Sequence, residues 1–312
     1  MKLDSMEKIR AAAAQGGARR LAVAAAHDEA VLRAVADARR QALAEPILVG
    51  DAAEIERLLR ALGEDPAAYE ILNAQGGEAC AQEAVRCVSQ GRAELLMKGG
   101  LATASLLRAV LRPEAGLRTG RLLSHVMLYE APGHRLLALT DGGVNPFPQL
   151  AQKAEILENA ALVLRALGYE TMQAACVCGA ETVNPKIAST VDAQALTQMH
   201  ARWAPLGLHV YGPVGLDLAV SREACRCKRY DVPGGGEADI LLVPDYETGN
   251  GIGKAMSVFA GAKNAGVVTG ARVPVVLVSR SDSAQTKLSA IALGACLARA
   301  EAHTQGGTGH VC

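Results

Sequence analysis

This sequence has few aromatic residues and no excess of charge of either sign. Phe, Trp and Tyr make up 3% of its 312 residues, and single-stranded nucleic acids are commonly bound on aromatic stacking surfaces. Lys plus Arg and Asp plus Glu both count 32, so the formal net charge is zero. Both features argue against general binding to nucleic acid or to an anionic membrane surface. No apolar run is long enough to span a membrane, and no apolar segment typical of a signal peptide follows Met1.

The patterns of common metal and nucleophile sites are also missing. Eight cysteines in a chain without a recognisable export signal are expected to be reduced thiols in the cytoplasm. The pairs Cys176/Cys178 and Cys225/Cys227 lack the C-x2-C spacing of structural zinc sites, and no histidine lies at a matching distance. We therefore predict no bound metal, and the role of the thiol pairs stays open. No G-x-S-x-G motif supports a hydrolase triad.

The sequence does have the pattern of an α/β protein. Hydrophobic residues make up 50% of it, which is enough for a large core. Short apolar runs typical of buried strands alternate with longer stretches in which apolar residues recur at helical spacing. This alternation predicts an α/β fold with a largely parallel sheet, and the number of strands indicates two α/β lobes. The predicted strands are Leu21–Ala26, Pro46–Gly50, Glu94–Lys98, His125–Glu130, Leu136–Thr140, Glu170–Val177, Leu208–Tyr211, Ile240–Pro244 and Val273–Ser279.

Polar and flexible residues follow several of these strands, among them Lys98-Gly99, Asp141 to Asn145, Asp245 and Ser279-Arg280. Turn and cap chemistry explains any one of these groups. In open α/β sheets, however, ligands bind beyond the carboxyl ends of the strands. Several such groups together therefore predict a binding cleft.

The segment after the last predicted strand indicates an anion site. Ser281, Asp282 and Ser283 are residue types that commonly cap a helix N-terminus. Capping does not explain Arg280, because a cation is unfavourable at a helix N-terminus unless it has an anionic partner. The free N–H groups of the helix start, with Arg280 beside them, would bind a phosphate group.

A glycine-rich segment follows the strand before it. Residues 249–254 read G-N-G-I-G-K, and we expect a loop from Asp245 to Lys254 before the next helix. The segment is one residue short of a P-loop and is followed by Ala255, and it does not match a Rossmann fingerprint either. Two interpretations stay open: a glycine-rich anion loop with Lys254 as a point charge, or an ordinary flexible loop with a solvated lysine.

A third segment surrounds Gly99 and Gly100, which allow the backbone to approach a ligand closely. Thr103 is predicted to be the N-cap of the helix that carries Arg108. Arg108 is either an ordinary surface residue or a ligand for an anion.

Five segments, in matching order, resemble the phosphate acyltransferases, the family of phosphate acetyltransferase and phosphate butyryltransferase. The resemblance covers roughly Glu94 to Ala300 and is closest to the butyryl branch in MKGGLATA, VNPK and SRSDS. The segments are MKGGLATASLLRAVL, LTDGGVNPFPQLAQKAEIL, VNPKIASTVDA, ADILLVPDYETGNGIGKA and VPVVLVSRSDSAQTKLSAIAL.

This resemblance implies a two-lobed αβα fold like that of the isocitrate and isopropylmalate dehydrogenases, with the active site in the interdomain cleft. The chain would cross between the lobes near Leu122 and Val267. The first lobe would then be discontinuous, with residues 1–122 plus 267–312, and the second would span residues 123–266. The resemblance also implies a homo-oligomer that is at least a dimer.

The implied reaction converts acyl-CoA and phosphate into acyl phosphate and CoA. Transfer would be direct, in a ternary complex, with coenzyme A as substrate or product and no tightly bound cofactor. By the same resemblance Ser279 and Arg280 match the serine-arginine pair of the family. Asp282, the nearest carboxylate, is the third predicted catalytic residue. Ser279 would hydrogen-bond the reacting carbonyl or the thiol, and Arg280 would bind phosphate with two parallel hydrogen bonds. The residues implied to bind phosphate or CoA are Arg108, Lys98, Gly99, Thr103, Asn145, Asp245, Asn250 and Lys254.

Two positions depart from the acetyl branch. The acidic residue that can act there as a base is Thr286 in this sequence, and an arginine of that branch is Val258. Asp282 is the nearest carboxylate to Ser279 and is either a base or a helix cap. Because phosphate is already ionised near neutral pH, positioning and oxyanion stabilisation are expected to carry the reaction. The alternatives are a phosphate acetyltransferase, an NAD-dependent dehydrogenase on the same fold, or a non-catalytic relative that binds CoA or acyl phosphate.

Overall fold

The chain folds into two compact units. The structure, a computed structural model, describes residues 1–279 and 282–306, with side chains described as far as residue 300. The central unit comprises Met1–Ser5 and Leu122–Asn264, and the terminal unit comprises Met6–Arg121 and the described chain from Ala265 onward. The predicted lobe boundaries near Leu122 and Val267 lie close to these limits, whereas the first five residues, predicted in the first lobe, lie in the central unit.

Helices and strands alternate along most of the chain. The helices are α1 Met6–Gln15, α2 Glu29–Arg40, α3 Ala52–Ala61, α4 Gly77–Ser89, α5 Thr103–Val110, α6 Leu150–Ala166, α7 Ala188–Thr197, α8 His200–Trp203, α9 Leu216–Val220, α10 Arg222–Lys228, α11 Tyr246–Val258 and α12 Ala284–Gly306. The strands are β1 Arg19–Ala24, β2 Ala44–Gly50, β3 Glu70–Asn73, β4 Leu95–Lys98, β5 Ser124–Glu130, β6 Leu137–Thr140, β7 Met172–Val177, β8 Leu208–Val214, β9 Ile240–Leu242, β10 Lys263–Thr269 and β11 Val275–Val276. Short 3-10 turns lie at Pro66–Ala68, Pro113–Ala115 and Ala204–Leu206.

The sheet of the terminal unit has the strand order β3-β2-β1-β4-β11-β10. Its strands are parallel except that β10 runs antiparallel to β11. Acidic side chains begin the helices that follow β1 and β2: Asp28 accepts the N–H of Val31 at 3.0 Å, and Asp51 accepts that of Glu54 at 3.1 Å. The side chain of an N-cap residue satisfies an N–H group that has no partner within the helix, which fixes where each helix starts.

The sheet of the central unit has the order β5-β6-β9-β7-β8, with only the β5–β6 pair antiparallel among these strands. The N-terminal residues join this unit through two contacts. The Leu3 N–H donates to the Leu167 carbonyl oxygen at 2.8 Å, and the Lys2 ammonium lies 3.8 Å from the centre of the Tyr169 ring. Because these contacts join segments far apart in sequence, the local apolar pattern does not predict them.

The predicted α/β class with a largely parallel sheet is confirmed. Each of the nine predicted strands has an observed counterpart, and β3 and β10 are additional. No helix of the described residues has both the length and the apolar character needed to cross a lipid bilayer.

Candidate functional site

Two neighbouring parallel strands of the terminal unit lead into predicted site residues at the same edge of the sheet. In the register of β4 and β11, Met97 lies beside Val276. Lys98 and Gly99 therefore leave the sheet next to the segment that leads to Ser279. The other neighbour of β4 is β1, whose Ala24 lies beside Lys98. This is the sheet edge at which ligands bind in parallel α/β folds.

Lys98 is buried, with 5% of its surface exposed. Its Nζ donates hydrogen bonds to the carbonyl oxygens of Gly99 at 3.1 Å and Leu101 at 3.3 Å. The ammonium group thus holds the loop that follows its own strand. Lys98 was predicted to bind phosphate or CoA, and the described contacts place its ammonium group against the backbone of this loop.

Gly99 is explained by the packing of the chain. A Cβ atom at this position would lie 2.6 Å from the carbonyl oxygen of Ala24 and would also collide with that of Ala25. The N–H groups of Gly99 and Gly100 donate to these same two carbonyl oxygens, each at 2.8 Å. Glycine is therefore needed at position 99 to bring the end of β4 against the end of β1.

Thr103 is the first residue of α5, and the residue at its N-cap position is Ala102, which makes no side-chain capping bond. The prediction that Thr103 is the N-cap is therefore wrong by one position. Arg108 lies in the last turn of α5 with an exposed side chain. Within the described residues its guanidinium has no hydrogen-bond or ion-pair partner, so it is available to an anion.

The segment after β11 forms a closed turn between Ser279 and Asp282. The Asp282 Oδ2 accepts the backbone N–H of Ser279 at 2.7 Å, and the Asp282 N–H donates to the Ser279 carbonyl oxygen at 3.2 Å. Ser283 then caps α12, because its Oγ accepts the N–H of Thr286 at 3.1 Å. Of the three predicted capping residues, Ser283 has this role. Arg280 and Ser281 lie outside the described residues.

A lysine that the sequence analysis did not identify supports this turn. The Lys287 side chain is 2% exposed. Its Nζ donates to the carbonyl oxygens of Ser279, at 3.4 Å, and of Asp282. Local sequence offers one weak signal, since this cation occupies a position that faces the core in an Ala- and Leu-rich helix.

The central unit places Asp141 and Asn145 at the carboxyl end of β6. The buried Asp141 carboxylate accepts the N–H groups of His125, Gly143 and Val144 and the Asn145 amide at 2.6–3.0 Å. The Asn145 amide nitrogen also donates to the Leu123 carbonyl oxygen at 2.8 Å. Asp141 thus fixes the turn that follows β6, and both amide hydrogens of Asn145 are used within the chain.

The predicted glycine-rich loop is wrong, because α11 begins at Tyr246, before the first of these glycines. Asp245 starts the helix by accepting the N–H of Thr248 at 2.8 Å. Asn250 and Lys254, four positions apart, lie on one face of the helix, where Asn250 is half-buried and Lys254 is exposed. Within the described residues Lys254 has no polar partner. An anion-binding loop of the P-loop kind is therefore excluded here.

Close packing explains two of the three glycines in α11. A Cβ at position 249 would lie 2.8 Å from the Gly142 Cα and 2.8 Å from the Val243 Cγ2. A Cβ at position 253 would collide with the Tyr129 hydroxyl group. At position 251 a Cβ would meet no atom within 4 Å. Gly249 and Gly253 therefore allow α11 to pack closely against the rest of the central unit. Gly251 leaves the backbone uncovered by a side chain on the exposed face.

The cysteines of the described chain are free thiols, and Cys227 is exposed whereas the others are buried. Burial raises the pKa of the Cys296 thiol to about 11 and also raises that of the Cys176 thiol. Within the described residues, no group of three or more His, Cys, Asp and Glu side chains has an arrangement that could hold a metal ion.

An apolar cavity of about 470 Å³ lies elsewhere in the central unit. Its lining includes Tyr129, Leu137, Leu241 and Met256, with Arg135 among its polar residues. None of the predicted site residues lines it.

Comparison with known proteins identifies relatives over most of the chain. A family model described as "Phosphate acetyl/butaryl transferase" matches residues 78–295. Phosphate butyryltransferase of Clostridium acetobutylicum is 43% identical over 281 residues, which cover 90% of this chain and 93% of that protein. Phosphate acetyltransferase of Thermotoga maritima is 40% identical over 286 residues, which cover 91% and 97%.

The fold of this chain is also similar to that of solved structures. The crystal structure of a branched-chain phosphotransacylase from Enterococcus faecalis V583 has a TM-score of 0.79 and 34% identity, covering 90% of this chain and 99% of that one. A 4-hydroxythreonine-4-phosphate dehydrogenase from Klebsiella pneumoniae has a TM-score of 0.50 at 13% identity, with coverage of 90% and 99%. The second likeness concerns the fold alone.

Proposed function

This chain belongs to the phosphate acetyl/butyryl transferase family, and we propose from that premise that it exchanges an acyl group between coenzyme A and inorganic phosphate. The single observation that carries the proposal is the 43% identity, over 90% of the chain, to a phosphate butyryltransferase. The family match at residues 78–295 spans Arg108, Lys254, Ser279 and Asp282. The enzyme is therefore an acyltransferase. Thr286, at the position of the acetyl-branch acidic residue, and the preceding Gln285 are the features that favour the non-catalytic alternative, which the thiol-release test below addresses.

The reaction that these residues serve needs no covalent acyl-enzyme. An oxygen of hydrogenphosphate attacks the thioester carbonyl carbon, the C–S bond breaks, and CoA leaves as a thiolate. Overall, the proton of hydrogenphosphate passes to the CoA sulfur. Because the nucleophile is already anionic, orientation and stabilisation of the charge on the carbonyl oxygen carry most of the acceleration.

We assign phosphate binding to Arg280, whose planar guanidinium suits two parallel hydrogen bonds to phosphate oxygens. The hydroxyl group of Ser279 donates to the reacting carbonyl oxygen or to the CoA sulfur. The Asp282 carboxylate accepts the Ser279 N–H, so its role is to hold the turn in shape. This arrangement favours a structural role of Asp282 in the turn over the role of a base.

Arg108 and Lys254 are exposed cations without a polar partner among the described residues. We assign them to the anionic groups of the substrates, which are phosphate itself and the phosphate groups of CoA. Asn250 lies on the same helical face as Lys254 and adds an amide donor. Lys98, Gly99, Asn145 and Asp245 make contacts within the chain, so we assign them to shaping the loops that meet the substrates. Thr103, at the start of α5, stays a candidate for direct contact.

The acyl chain that we propose is butyryl. Phosphate butyryltransferase of C. acetobutylicum and phosphate acetyltransferase of T. maritima are similar to the chain at 43% and 40% identity, so acetyl-CoA is the alternative substrate. One added methylene changes discrimination by only about 1–3 kcal/mol. A direct comparison of the two thioesters is therefore required.

The test measures release of the CoA thiol with butyryl-CoA and with acetyl-CoA, each with and without phosphate. We expect release only with phosphate and a higher kcat/KM for butyryl-CoA. A higher kcat/KM for acetyl-CoA would identify an acetyltransferase. Folded protein that binds CoA and releases no thiol from either thioester would contradict the proposed activity. The Ser279→Ala variant is the control for release that does not depend on the site.

We also propose that the enzyme works in the cytoplasm as a homo-oligomer. The free cysteines of the described chain suit a reducing compartment. The oligomer follows from the family resemblance and is measured by light scattering on the purified protein. A mass equal to one chain would contradict it.

A further inference from the structure

Three lysines are buried among the described residues. Besides Lys98, described above, they are Lys153 and Lys287, whose surroundings differ. In the central unit, the Nζ of Lys153 lies 2.7 Å from the Asp192 carboxylate, with 8% of the lysine side chain exposed. In the terminal unit, Lys287 is 2% exposed and has no ion pair with a carboxylate within 4.0 Å among those residues. Buried charges in proteins are normally paired with an opposite charge.

The partners that Lys287 does have are neutral. Its Nζ donates to the carbonyl oxygens of Ser279 and Asp282, which are the first and last residues of the closed turn after β11. The Asp282 carboxylate, the nearest one in sequence, accepts the Ser279 N–H at 2.7 Å. The ammonium therefore fixes the backbone of the turn, and among the described residues no opposite charge pairs with it.

The position of Lys287 in its helix adds to the uncompensated positive charge around the turn. Lys287 lies in the first turns of α12, which begins at Ala284, and a helix N-terminus already carries a partial positive charge. A cation is unfavourable there unless an anion is nearby. Within the described residues no carboxylate pairs with Lys287, so a bound anion is the group that would compensate it.

We propose that Lys287 is a positioning residue for acyl transfer, which holds the turn of Ser279 and makes its surroundings selective for the phosphate substrate. The inference rests on the proposed function, since it names phosphate as the anion. Lys287 acts through its hydrogen bonds to the turn and through the electrostatic attraction of its charge for phosphate, without contacting the reacting atoms. Its removal should therefore affect phosphate much more than butyryl-CoA.

The test compares Lys287→Met with Lys287→Arg, which keeps the charge, and with Lys263→Met, which removes an exposed lysine at the start of β10. For Lys287→Met we expect the KM for phosphate to rise on the order of tenfold, the size expected for one unit charge several ångströms from an anion. The KM for butyryl-CoA should stay within about twofold of wild type, as it should when binding of only one substrate is lost. Lys287→Arg should recover part of the phosphate affinity, and Lys263→Met should behave as wild type.

A second readout does not depend on turnover. Inorganic phosphate should raise the unfolding temperature of the wild type, because a ligand that binds only the folded state stabilises it. This rise should be much smaller in Lys287→Met. Without phosphate, that variant should unfold close to the wild-type temperature, because removal of an unpaired buried charge offsets the loss of two hydrogen bonds to the turn.

Three outcomes would overturn the inference. They are a wild-type KM for phosphate in Lys287→Met, an equal loss of affinity for both substrates, and failure of both Lys287→Met and Lys287→Gln to fold, which would make the lysine structural. Failure of the proposed function has a different signature, in which the wild type releases no CoA thiol. The phosphate-induced rise and its loss in Lys287→Met would then still support an anion site, and absence of that rise in the wild type would refute one.

Discussion

The carboxylate of Asp282 and the backbone N–H of Ser279 are joined by a hydrogen bond of 2.7 Å. This contact gives the carboxylate nearest to Ser279 in sequence a defined task. One of the two carboxylate oxygens, Oδ2, accepts a main-chain donor, which favours a structural role for Asp282 over the role of a base. The contact also occupies the Ser279 N–H within the chain, so this N–H is not a donor to a ligand.

Two substitutions of Asp282 separate these roles. In Asp282→Asn the side chain keeps an oxygen acceptor for the Ser279 N–H, so kcat/KM should stay within about threefold of wild type. Asp282→Ala loses the bond, and kcat/KM should fall ~10–100-fold, as for loss of one hydrogen bond to a charged group. Steady-state thiol release measures both. If Asp282→Asn is as inactive as Asp282→Ala, Asp282 is the base.

Arg280→Ala tests the phosphate site. Each lost charge-assisted hydrogen bond should cost ~1.5–3 kcal/mol, chiefly as a higher KM for phosphate. The matched control is Arg33→Ala, which removes an exposed arginine of α2 that pairs with Glu29 at 2.8 Å, and should leave the kinetics unchanged. Wild-type phosphate KM and kcat in Arg280→Ala would show that phosphate binds elsewhere.

Replacement of glycine by alanine in α11 should have opposite effects on stability at positions 249 and 251. Gly249→Ala puts a methyl group against the Gly142 backbone and should lower the free energy of unfolding by about 1–3 kcal/mol. Gly251→Ala puts it in open space and should raise that free energy by about 0.5–1 kcal/mol, because alanine restricts the unfolded chain and favours helix. Urea unfolding of both variants measures the difference. Equal effects would show that the contact between Gly142 and Gly249 is not tight in solution.

Titration of Asp239, in the central unit, should make the stability of the protein depend on pH. Its carboxylate accepts the Gln173 N–H at 2.9 Å, and burial raises its pKa above the ordinary aspartate range. A raised pKa means that the folded state binds the proton more tightly than the unfolded state. The stabilisation is present below the pKa of the unfolded chain, about 3.9, and is lost as the pH rises through the higher folded value.

Asp239→Asn removes this titration. The stability of the variant relative to wild type should therefore increase as the pH rises from about 4 to 7, a range that begins near the unfolded pKa. Urea unfolding at a series of pH values measures the relative stability. A difference that is constant with pH, or that falls, would contradict the assignment.

Most of the fold could be predicted because each of the nine predicted strands combines a local apolar run with turn residues at its ends. The two additional strands lack that signal. β3 is short, and its Ile71 and Leu72 are half-buried. β10 begins with Lys263 and Asn264 and contains a glycine. In both, pairing with neighbouring strands outweighs the local propensity.

The site was harder to predict, since the sequence shows which residues are polar and not where their hydrogen bonds go. Asp141 and Asp245 looked like ligand-binding residues after strands, and both are bonded to nearby N–H groups. The glycines of α11 looked like a loop because their packing partners, Gly142 and Tyr129, lie far away in sequence. Lys287 was not identified because its burial depends on tertiary structure.

The bare backbone at Gly251 makes α11 suitable for a fluorescent reporter. A cysteine at this position would carry its label outward on the exposed helix, between Asn250 and Lys254, without disturbing the contact of Gly249 with Gly142. The exposed Cys227, and Cys312 outside the described residues, would first be replaced by serine. Under the proposed assignment of Lys254 to the anionic groups of the substrates, the label would report their binding as a change in fluorescence that does not depend on thiol chemistry in the assay.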